Sequence, residues 1–189
     1  MEQLKRYVNQ AYDELNQDVW DLVTPMLELV NLPKKTPLVK FGEVEKNIYF
    51  IKSGSIRFFI PKEEGDLTFG FAFADEFVSA YDSFLNEEPC EYQLETITDT
   101  TVLILSKENL KILYAQNPLG NYIGRLIAEN LFMKKKDREM SLLTRSAEQR
   151  YDDLFANHPQ IIKEIPLKYI SSFIGITPQA LSRIRARVS

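Results

Sequence analysis

The side chains best suited to binding chemistry lie near the end of the chain, where basic, amide and hydroxyl residues recur on one side of a short helical segment. Arginine, glutamine and serine match the hydrogen-bonding groups of base edges, and lysine pairs with phosphate. This residue set predicts a surface that contacts DNA. The predicted contact residues are Lys168, Thr177, Pro178, Gln179, Ser182, Arg183, Arg185 and Arg187.

Two short helices must position this surface. Between Leu167 and Val188, apolar residues recur at the spacing that buries one face of each helix, and Gly175 provides the sharp turn between them. Thr177 is placed to cap the second helix, and Pro178 suits its first turn. This order fits the unit that places a helix in the major groove of DNA, with an ordinary helical hairpin and a solvated basic face as the alternative. The predicted buried residues are Ile170, Ile174, Ile176, Leu181 and Ile184.

The charge distribution supports the same surface. The 189-residue chain has a net charge of −4 and a pI near 5.2, which alone disfavours a general nucleic-acid binder. From Lys163 to Ser189, however, there are five basic residues and one acidic residue. A basic segment on an acidic body is the segregation expected of a DNA-binding unit attached to another domain.

Upstream, the pattern predicts a β-rich body. Residues 2–30 show helical spacing, and from Val39 to Leu105 short runs of strand-forming residues alternate with turn residues. Evenly spaced short strands are typical of a closed barrel or jelly roll. Phe69, Phe71, Phe73, Phe84 and Tyr92 are expected to line its apolar interior. The predicted strand pairs are the two halves of Ile48–Ile60, then Leu67–Phe73 with Phe77–Ala80, and Tyr92–Ile97 with Thr101–Leu105.

After Ser106 the helical period returns, and a helix of about 25 residues is predicted from Leu119 to Leu143. Its apolar stripe repeats every seven residues. The stripe could pack on the protein's own barrel, but pairing with the same helix of a second chain is favoured because the helix is too long for one barrel to cover. The predicted dimer interface is Ile123, Leu126, Ile127, Met133 and Met140, and a short helix, Ala147–Ala156, follows.

Composition excludes several classes of protein. The longest apolar runs, such as Phe69–Ala74, fall far short of the roughly 20 residues needed to cross a bilayer, and the first residues lack a signal-peptide pattern. We therefore expect a cytoplasmic protein without membrane contact. With one cysteine, Cys90, and one histidine, His158, we expect no metal, haem or iron–sulfur cofactor. His158 precedes Pro159 in a predicted loop and is expected on the surface.

An enzymatic function is also disfavoured. A barrel metalloenzyme needs histidines that converge inside the barrel, and the scattered glycines form no phosphate-binding loop. The carboxylates Glu87, Glu88 and Glu91 fit a solvated turn. The more serious alternative to a DNA-binding protein is a ligand-binding or protein-interaction barrel whose C-terminal helices contact a protein partner.

Two segments far apart in the chain form a specific combination. The first comprises Lys40–Glu43, Tyr49–Arg57, Gly65 and Asp99–Leu103, and the second comprises Gly175–Thr177 and Leu181–Ile184. Either segment alone is weak, but together they resemble the Crp/Fnr superfamily of bacterial transcription regulators. The resemblance covers nearly the whole chain.

The resemblance implies a fold and a function. The fold is α+β: an N-terminal jelly-roll β-barrel of the cyclic-nucleotide-binding type, a long dimerisation helix and a C-terminal helix-turn-helix. The function is that of a homodimer that binds an inverted-repeat site on double-stranded DNA and contacts RNA polymerase. The predicted domains are 1–117 for the sensor barrel, 118–146 for the dimerisation helix and 147–189 for the DNA-binding domain.

The resemblance also assigns roles at the DNA surface. The base-reading positions of the family fall on Pro178, Gln179, Ser182 and Arg183. Of these, Gln179 matches the N6 and N7 atoms of adenine, and Arg183 matches O6 and N7 of guanine. Lys168, Arg185 and Arg187 are expected at phosphates. Family members commonly add a β-hairpin wing after this helix, and since the sequence stops at Ser189 we expect a reduced or absent wing.

The effector site departs from the family pattern. In members that bind cyclic AMP, a Gly-Glu pair holds the ribose and an arginine holds the cyclic phosphate, but Phe77–Leu85 lacks that pair, and Cys90 or Glu91 stands at the arginine position. Burying a phosphodiester beside Glu91 without a cation would cost several kcal/mol. Cyclic AMP is therefore not the expected effector, and the effector stays unassigned. The candidate pocket residues are Phe71, Phe77, Ser79, Tyr81, Asp82, Ser83, Phe84, Cys90 and Tyr92.

Overall fold

A computed structural model describes residues 1–11, 17–116, 118–159 and 161–188. The strands are β1 Leu27–Leu32, β2 Pro37–Val39, β3 Asn47–Ser53, β4 Ser55–Ile60, β5 Leu67–Phe73, β6 Phe77–Val78, β7 Gln93–Thr96 and β8 Thr100–Ser106. The α-helices are α1 Glu2–Ala11, α2 Gln17–Val23, α3 Tyr81–Asn86, α4 Lys107–Gln116, α5 Pro118–Thr144, α6 Ala147–Asn157, α7 Ile161–Glu164, α8 Leu167–Ile174 and α9 Pro178–Val188. None of the described helices is long and apolar enough to cross a membrane.

The strands form two antiparallel sheets that pack face to face. Sheet A has the order β1-β8-β3-β6, and sheet B has the order β2-β7-β4-β5. Between them lie fully buried aliphatic side chains, including Ile51 and Val102 from sheet A and Ile56 and Leu94 from sheet B. The predicted jelly-roll architecture, followed by helices, is therefore confirmed.

The partners predicted for the strands are wrong, although the strands themselves are present. β3 pairs with β6 and β8, whereas β4 pairs with β5 and β7, so the chain crosses between sheets at the Ser-Gly turn. Gly54 makes this crossing at φ 93°, and a Cβ there would lie 2.4 Å from Oγ1 of Thr100. The other two predicted pairs, β5 with β6 and β7 with β8, are also split between the sheets. Turn residues mark where a strand ends and do not specify its partner.

The helical interpretation of residues 2–30 is wrong at its end. Helices α1 and α2 are present, residues 12–16 lie outside the described part, and Leu27–Leu32 is strand β1. β1 pairs with β8 from Leu27 opposite Leu105 to Leu32 opposite Thr100. A short apolar run fits both helical and strand spacing. Residues 27–32 form a strand because they pair with β8, and the local sequence pattern does not show that pairing.

Helices cover the outer faces of both sheets. On sheet A, the N-terminal helices with α4 and α5 bury Trp20, Leu113 and Ile127 against Phe50. On sheet B, α6, α8 and α9 form a third apolar cluster that includes Phe73. The two sheets are therefore the inner layers of a four-layer arrangement, with helices on both outer faces.

The joint between α5 and α6 is short and well defined. Arg145 and Ser146 separate the two helices. The Ser146 side chain accepts a hydrogen bond from the Gln149 backbone at 3.2 Å, and the Gln149 side chain accepts one from the Ser146 backbone at 2.9 Å. This reciprocal capping fixes the start of α6.

Candidate DNA interface and effector pocket

Helices α8 and α9 form the two-helix unit that the sequence predicts. Ile170, Ile174 and Leu181 are fully buried, and Ile176 and Ile184 pack against them. The two helices share this core with α6, which contributes Tyr151 and Leu154. The predicted buried face is confirmed.

The turn between these helices has the predicted geometry. Gly175 adopts φ 84°, and its N–H donates to the carbonyl oxygens of Ser171 and Ser172, both at 3.0 Å. The Thr177 hydroxyl oxygen accepts a hydrogen bond from the backbone N–H of Ala180 at 3.2 Å. Thr177 therefore caps α9, as its place before Pro178 predicts.

Most of the predicted DNA-contact residues share an exposed surface. The exposed members are Lys168, Thr177, Pro178, Gln179, Ser182, Arg183 and Arg187. The Ser182 hydroxyl donates to the Pro178 carbonyl at 3.0 Å, and Lys168 lies 5.2 Å from the centre of the Tyr169 ring. Neither contact occupies the amide of Gln179 or the guanidinium of Arg183.

Arg185 lies in a different environment from the other predicted contacts. Its side chain is half-buried and interacts with Tyr151 of α6. Burial raises the pKa of Tyr151, and the neighbouring guanidinium of Arg185 acts in the opposite direction. Arg185 thus connects α9 to α6, and a phosphate contact by this residue stays a prediction.

Helix α5 divides the predicted dimer residues between two faces. Ile123 and Ile127 are buried in the protein's own core on sheet A, so their placement in a dimer interface is wrong. Leu126 is half-buried, while Met133 and Met140 are 49% and 45% exposed. The sequence repeat identified both sets but could not tell which one the barrel covers.

The candidate pocket residues do not converge on one cavity. Cys90 and Tyr92 face the space between the sheets, and Phe71 packs on the outer face of sheet B, where its ring lies 5.0 Å from that of Phe173. Phe77, Tyr81 and Phe84 pack in the cluster outside sheet A. The expectation that they share one pocket is therefore wrong.

The two serines and the aspartate of the predicted pocket bond to neighbouring protein groups. The Ser79 hydroxyl donates to the Asn47 carbonyl at 2.8 Å, and the Ser83 hydroxyl donates to the Glu88 carbonyl. The Asp82 carboxylate accepts a hydrogen bond from the Tyr92 hydroxyl. These bonds fix α3 and the residues after it to the protein itself.

The error in the predicted lining has a simple geometric cause. Successive strand residues point to opposite faces, and Phe71 and Phe73 both point away from the interior, toward the C-terminal helices. A register shift opposite Phe58 and Phe59 leaves Phe69 without a paired residue, and its ring contacts Tyr92, 5.3 Å away. The alternation of Phe71 and Phe73 predicts that they share one face of the strand, but it does not show whether that face points into the sandwich or away from it.

A small apolar cavity lies outside the sandwich, between sheet A and the helices that cover it. It has a volume of about 30 Å³ and is lined by apolar residues that include Trp20 and Phe50. Because ligand sites for drug-sized molecules need about 300 Å³ or more, this cavity is too small to hold a nucleotide.

Glu45 is the residue of this region that sequence reasoning missed. It is 2% exposed, and its Oε1 accepts hydrogen bonds from the backbone N–H groups of Lys46 and Asn47, both at 2.9 Å, and from the Tyr49 hydroxyl at 3.2 Å. Its Oε2 is buried without a hydrogen-bond partner. Burial raises the pKa of Glu45 to about 6. Glutamates 43 and 45 look equivalent in the sequence, and only the fold buries the second.

Glu45 connects the strand β3 to the α3 segment. Its backbone N–H donates to Oγ of Ser83 at 3.0 Å, and its carboxylate lies close enough to Cys90 to raise the pKa of that thiol, after the larger effect of burial. Asp82 lies on the same segment. A phosphate placed here would therefore meet the Glu45 and Asp82 carboxylates, whereas Glu91, the carboxylate that the sequence places beside the phosphate, is exposed.

His158 is not the surface residue that the sequence predicts. It is half-buried, and its ring centre lies 4.4 Å from that of Phe73 on strand β5. Burial lowers the pKa of His158. The loop position is as expected, but the C-terminal helices bring this loop against sheet B.

Comparison with known proteins identifies the barrel. Residues 29–117 match the family described as the cyclic nucleotide-binding domain. Among curated proteins no match was found.

Solved structures similar to the chain extend over most of its length. FixK2 from Bradyrhizobium japonicum has a TM-score of 0.71 and 14% identity and covers 86% of this chain and 84% of its own. The c-di-GMP responsive global regulator CLP of Xanthomonas campestris has a TM-score of 0.68 and 17% identity, and the match covers 92% of this chain and 91% of CLP. A Crp/Fnr-family transcriptional regulator from Eubacterium rectale has a TM-score of 0.67 and 16% identity, and the match covers 93% of this chain and 84% of that regulator.

These findings define the fold of the protein. The chain has a cyclic nucleotide-binding domain followed by helices, arranged in the fold of the Crp/Fnr-type transcription regulators. The resemblance that the sequence indicates is confirmed.

The buried carboxylate leads to a prediction about stability and pH. Because the folded-state pKa of Glu45 is raised to about 6 from an ordinary value of 4.5, the unfolded chain loses this proton first as pH rises. Unfolding therefore becomes easier between these two pH values. The unfolding free energy of wild type should therefore fall by about 2 kcal/mol relative to that of Glu45→Gln as the pH rises from 4 to 7, because glutamine does not titrate.

Urea unfolding of both proteins across this range measures the difference. Glu63→Gln, which removes an exposed carboxylate, controls for the change in net charge. A difference between wild type and Glu45→Gln that is constant with pH would contradict the expected coupling.

Proposed function

We propose that the protein is a sequence-specific DNA-binding transcription regulator that acts as a homodimer. The observation that carries the proposal is the exposed, basic face of α9, held on a buried apolar core within a chain of the Crp/Fnr fold. In this proposal, residues 1–117 form the sensor barrel, 118–146 the dimerisation helix and 147–189 the DNA-binding domain. Such a regulator acts on DNA in the cytoplasm and contacts RNA polymerase there.

We infer that α8 and α9 are a helix-turn-helix. The first turns of α9 present Gln179 and Arg183 to solvent, which is where a recognition helix contacts base edges in the major groove. Gln179 would read adenine and Arg183 would read guanine. Lys168 and Arg187 flank these residues and would pair with phosphates.

The exposed half of α5 supports the homodimer. Phe132 is 67% exposed and Leu143 is 75% exposed, and Met133 and Met140 lie between them along the helix. Exposed apolar groups of this size on one helix favour burial against a partner. The same helix of a second chain would bury them, and the two recognition helices would then meet successive major grooves, roughly 34 Å apart.

The barrel is proposed to work without a cyclic nucleotide. Tyr49 and Tyr92 occupy the space between the sheets, and the buried Glu45 carboxylate disfavours a phosphate beside α3. Burial raises the pKa of both tyrosines, and the Glu45 charge adds to this effect. An effector, if the barrel takes one, would be less anionic than cyclic AMP.

The DNA interface generates the first functional prediction. Arg183→Ala should weaken binding to the preferred site by about 1–3 kcal/mol and relax the preference at one base pair, because a bidentate contact to guanine is lost. Lys168→Ala should weaken binding to all sequences alike, since it removes a phosphate contact. Lys62→Ala, which removes an exposed lysine from the barrel, is the matched control.

Fluorescence anisotropy with an oligonucleotide selected from a random pool measures these affinities. If no sequence is enriched over random DNA at moderate salt, the proposed function is wrong.

The dimer interface generates a second prediction. Met133→Lys should place a charge in the proposed interface and shift the protein from dimer to monomer at micromolar concentration. Leu85→Lys makes the same kind of change at a 57% exposed apolar position on α3, outside the proposed interface, and should leave the dimer intact. Sedimentation velocity distinguishes these outcomes, and a wild-type mass that stays monomeric at every concentration rules out the interface.

The effector pocket generates a third prediction. Cyclic AMP and cyclic GMP should bind several orders of magnitude more weakly than they bind a competent site, because a phosphate beside α3 would meet the Glu45 carboxylate where the family has an arginine. Isothermal titration calorimetry tests this directly. A dissociation constant in the low micromolar range for either nucleotide would disprove it.

A further inference from the structure

The first helix of the two-helix unit lies directly against the barrel. The backbone N–H of Thr68 on β5 donates to Oγ of Ser172 on α8 at 2.8 Å, and the rings of Phe71 and Phe173 lie 5.0 Å apart. α8 therefore serves as the covering layer of sheet B as well as the support of α9.

A buried arginine lies at the centre of this contact. Arg57 on β4 is 4% exposed, and its guanidinium forms ion pairs with Asp66 and Glu95, each at 2.9 Å. The guanidinium carbon lies 3.6 Å from the ring centre of Phe59 and 4.0 Å from that of Tyr169 on α8. The barrel thus supplies one aromatic face for the cation, and the C-terminal unit supplies the other.

Two further arginines hold the opposite end of α8. Arg138 of α5 donates to the carbonyl oxygen of Phe173, and its guanidinium carbon lies 3.8 Å from that ring. Nε of Arg150 on α6 donates to the carbonyl oxygen of Ile174 at 2.9 Å. These last carbonyls carry the negative end of the helix dipole, which favours cations there. Burial lowers the pKa of Arg138 to about 10, so it stays charged at neutral pH.

The groups proposed to read DNA take no part in these contacts. Gln179, Ser182 and Arg183 stay exposed on α9 while α8 is held from both ends. The docked arrangement therefore presents the proposed recognition surface to solvent.

We propose that Arg57 and Tyr169 are positioning residues for DNA binding. Together with the Thr68–Ser172 bond they form a contact, here named the β4–α8 clasp, that fixes α9 in a DNA-competent orientation relative to α5. The inference rests on the proposed function, because it assigns a role in DNA binding. The inference adds that α9 binds DNA while α8 is packed against sheet B, and that the barrel holds α8 there through Arg57.

One pair of substitutions at Tyr169 tests the role of the cation–aromatic contact. Tyr169→Ala removes one face of the Arg57 site and should lower DNA affinity about tenfold by reducing the competent fraction. Tyr169→Phe keeps the ring and should bind as wild type. The slope of log affinity against log salt should be unchanged in Tyr169→Ala, whereas loss of a phosphate contact reduces that slope. A reduced slope, or equal loss in Tyr169→Phe, would overturn the positioning role.

A disulfide staple tests which orientation binds DNA. The close approach of Thr68 and Ser172 suits the pair Thr68→Cys and Ser172→Cys in a Cys90→Ala background. The oxidised protein should bind DNA as tightly as the reduced protein, within about threefold. Loss of binding on oxidation, restored by reduction, would show that the clasp must open and would overturn the proposal.

A measurement without DNA separates this inference from the proposed function. Trypsin should cleave after the exposed Lys163 about tenfold faster in Tyr169→Ala than in wild type or Tyr169→Phe, because the C-terminal unit is released. Faster cleavage with no sequence-selective DNA binding in any variant would mean that the clasp exists and the proposed function fails. Equal cleavage rates in all three proteins would mean that the clasp does not hold the unit.

Discussion

The structure depends on a two-sheet sandwich that carries large apolar side chains on both outer faces as well as in its interior. Phe50 and Leu103 on sheet A and Phe73 on sheet B point outward and would be exposed without the helices. Burying each such side chain stabilises the fold by about 1.5–3 kcal/mol. The N-terminal helices and the C-terminal unit are therefore structural layers of the barrel, and the proposed DNA-binding surface is attached to a helix that the barrel needs for its own stability.

The segment around α3, where the effector site was predicted, is also occupied by contacts within the protein. Three of the candidate pocket residues bond within the protein: Ser83 accepts a hydrogen bond from the backbone of Glu45, and Tyr92 donates one to Asp82. A buried carboxylate with one unpartnered oxygen costs stability when it is charged. The sequence has no arginine at the phosphate-binding position of the family, and the structure buries Glu45 nearby. Both features disfavour a phosphate beside α3.

The sequence was sufficient for whatever depends on local pattern. The cap at Thr177, the turn at Gly175 and the buried face that includes Ile170 are local, and they were predicted correctly. The sheet that receives a strand, the face on which Phe71 lies and the burial of Glu45 depend on long-range packing, and these were predicted wrongly or missed. Ile127 and Met133 show the same limit on one helix, since the apolar repeat contains both and only the fold assigns one to the core.

The two-residue joint between α5 and α6 has a mechanical consequence. Ser146 is held by reciprocal capping with Gln149, and the Arg145 carbonyl accepts a hydrogen bond from Arg150, so little rotational freedom is left in the joint. The 27-residue α5 and the 11-residue α6 are then held at a fixed angle to each other. Rotation of α5 would move α6 and α9 with it, so in the proposed dimer this fixed angle would decide which spacing of half-sites on DNA the two α9 helices can span.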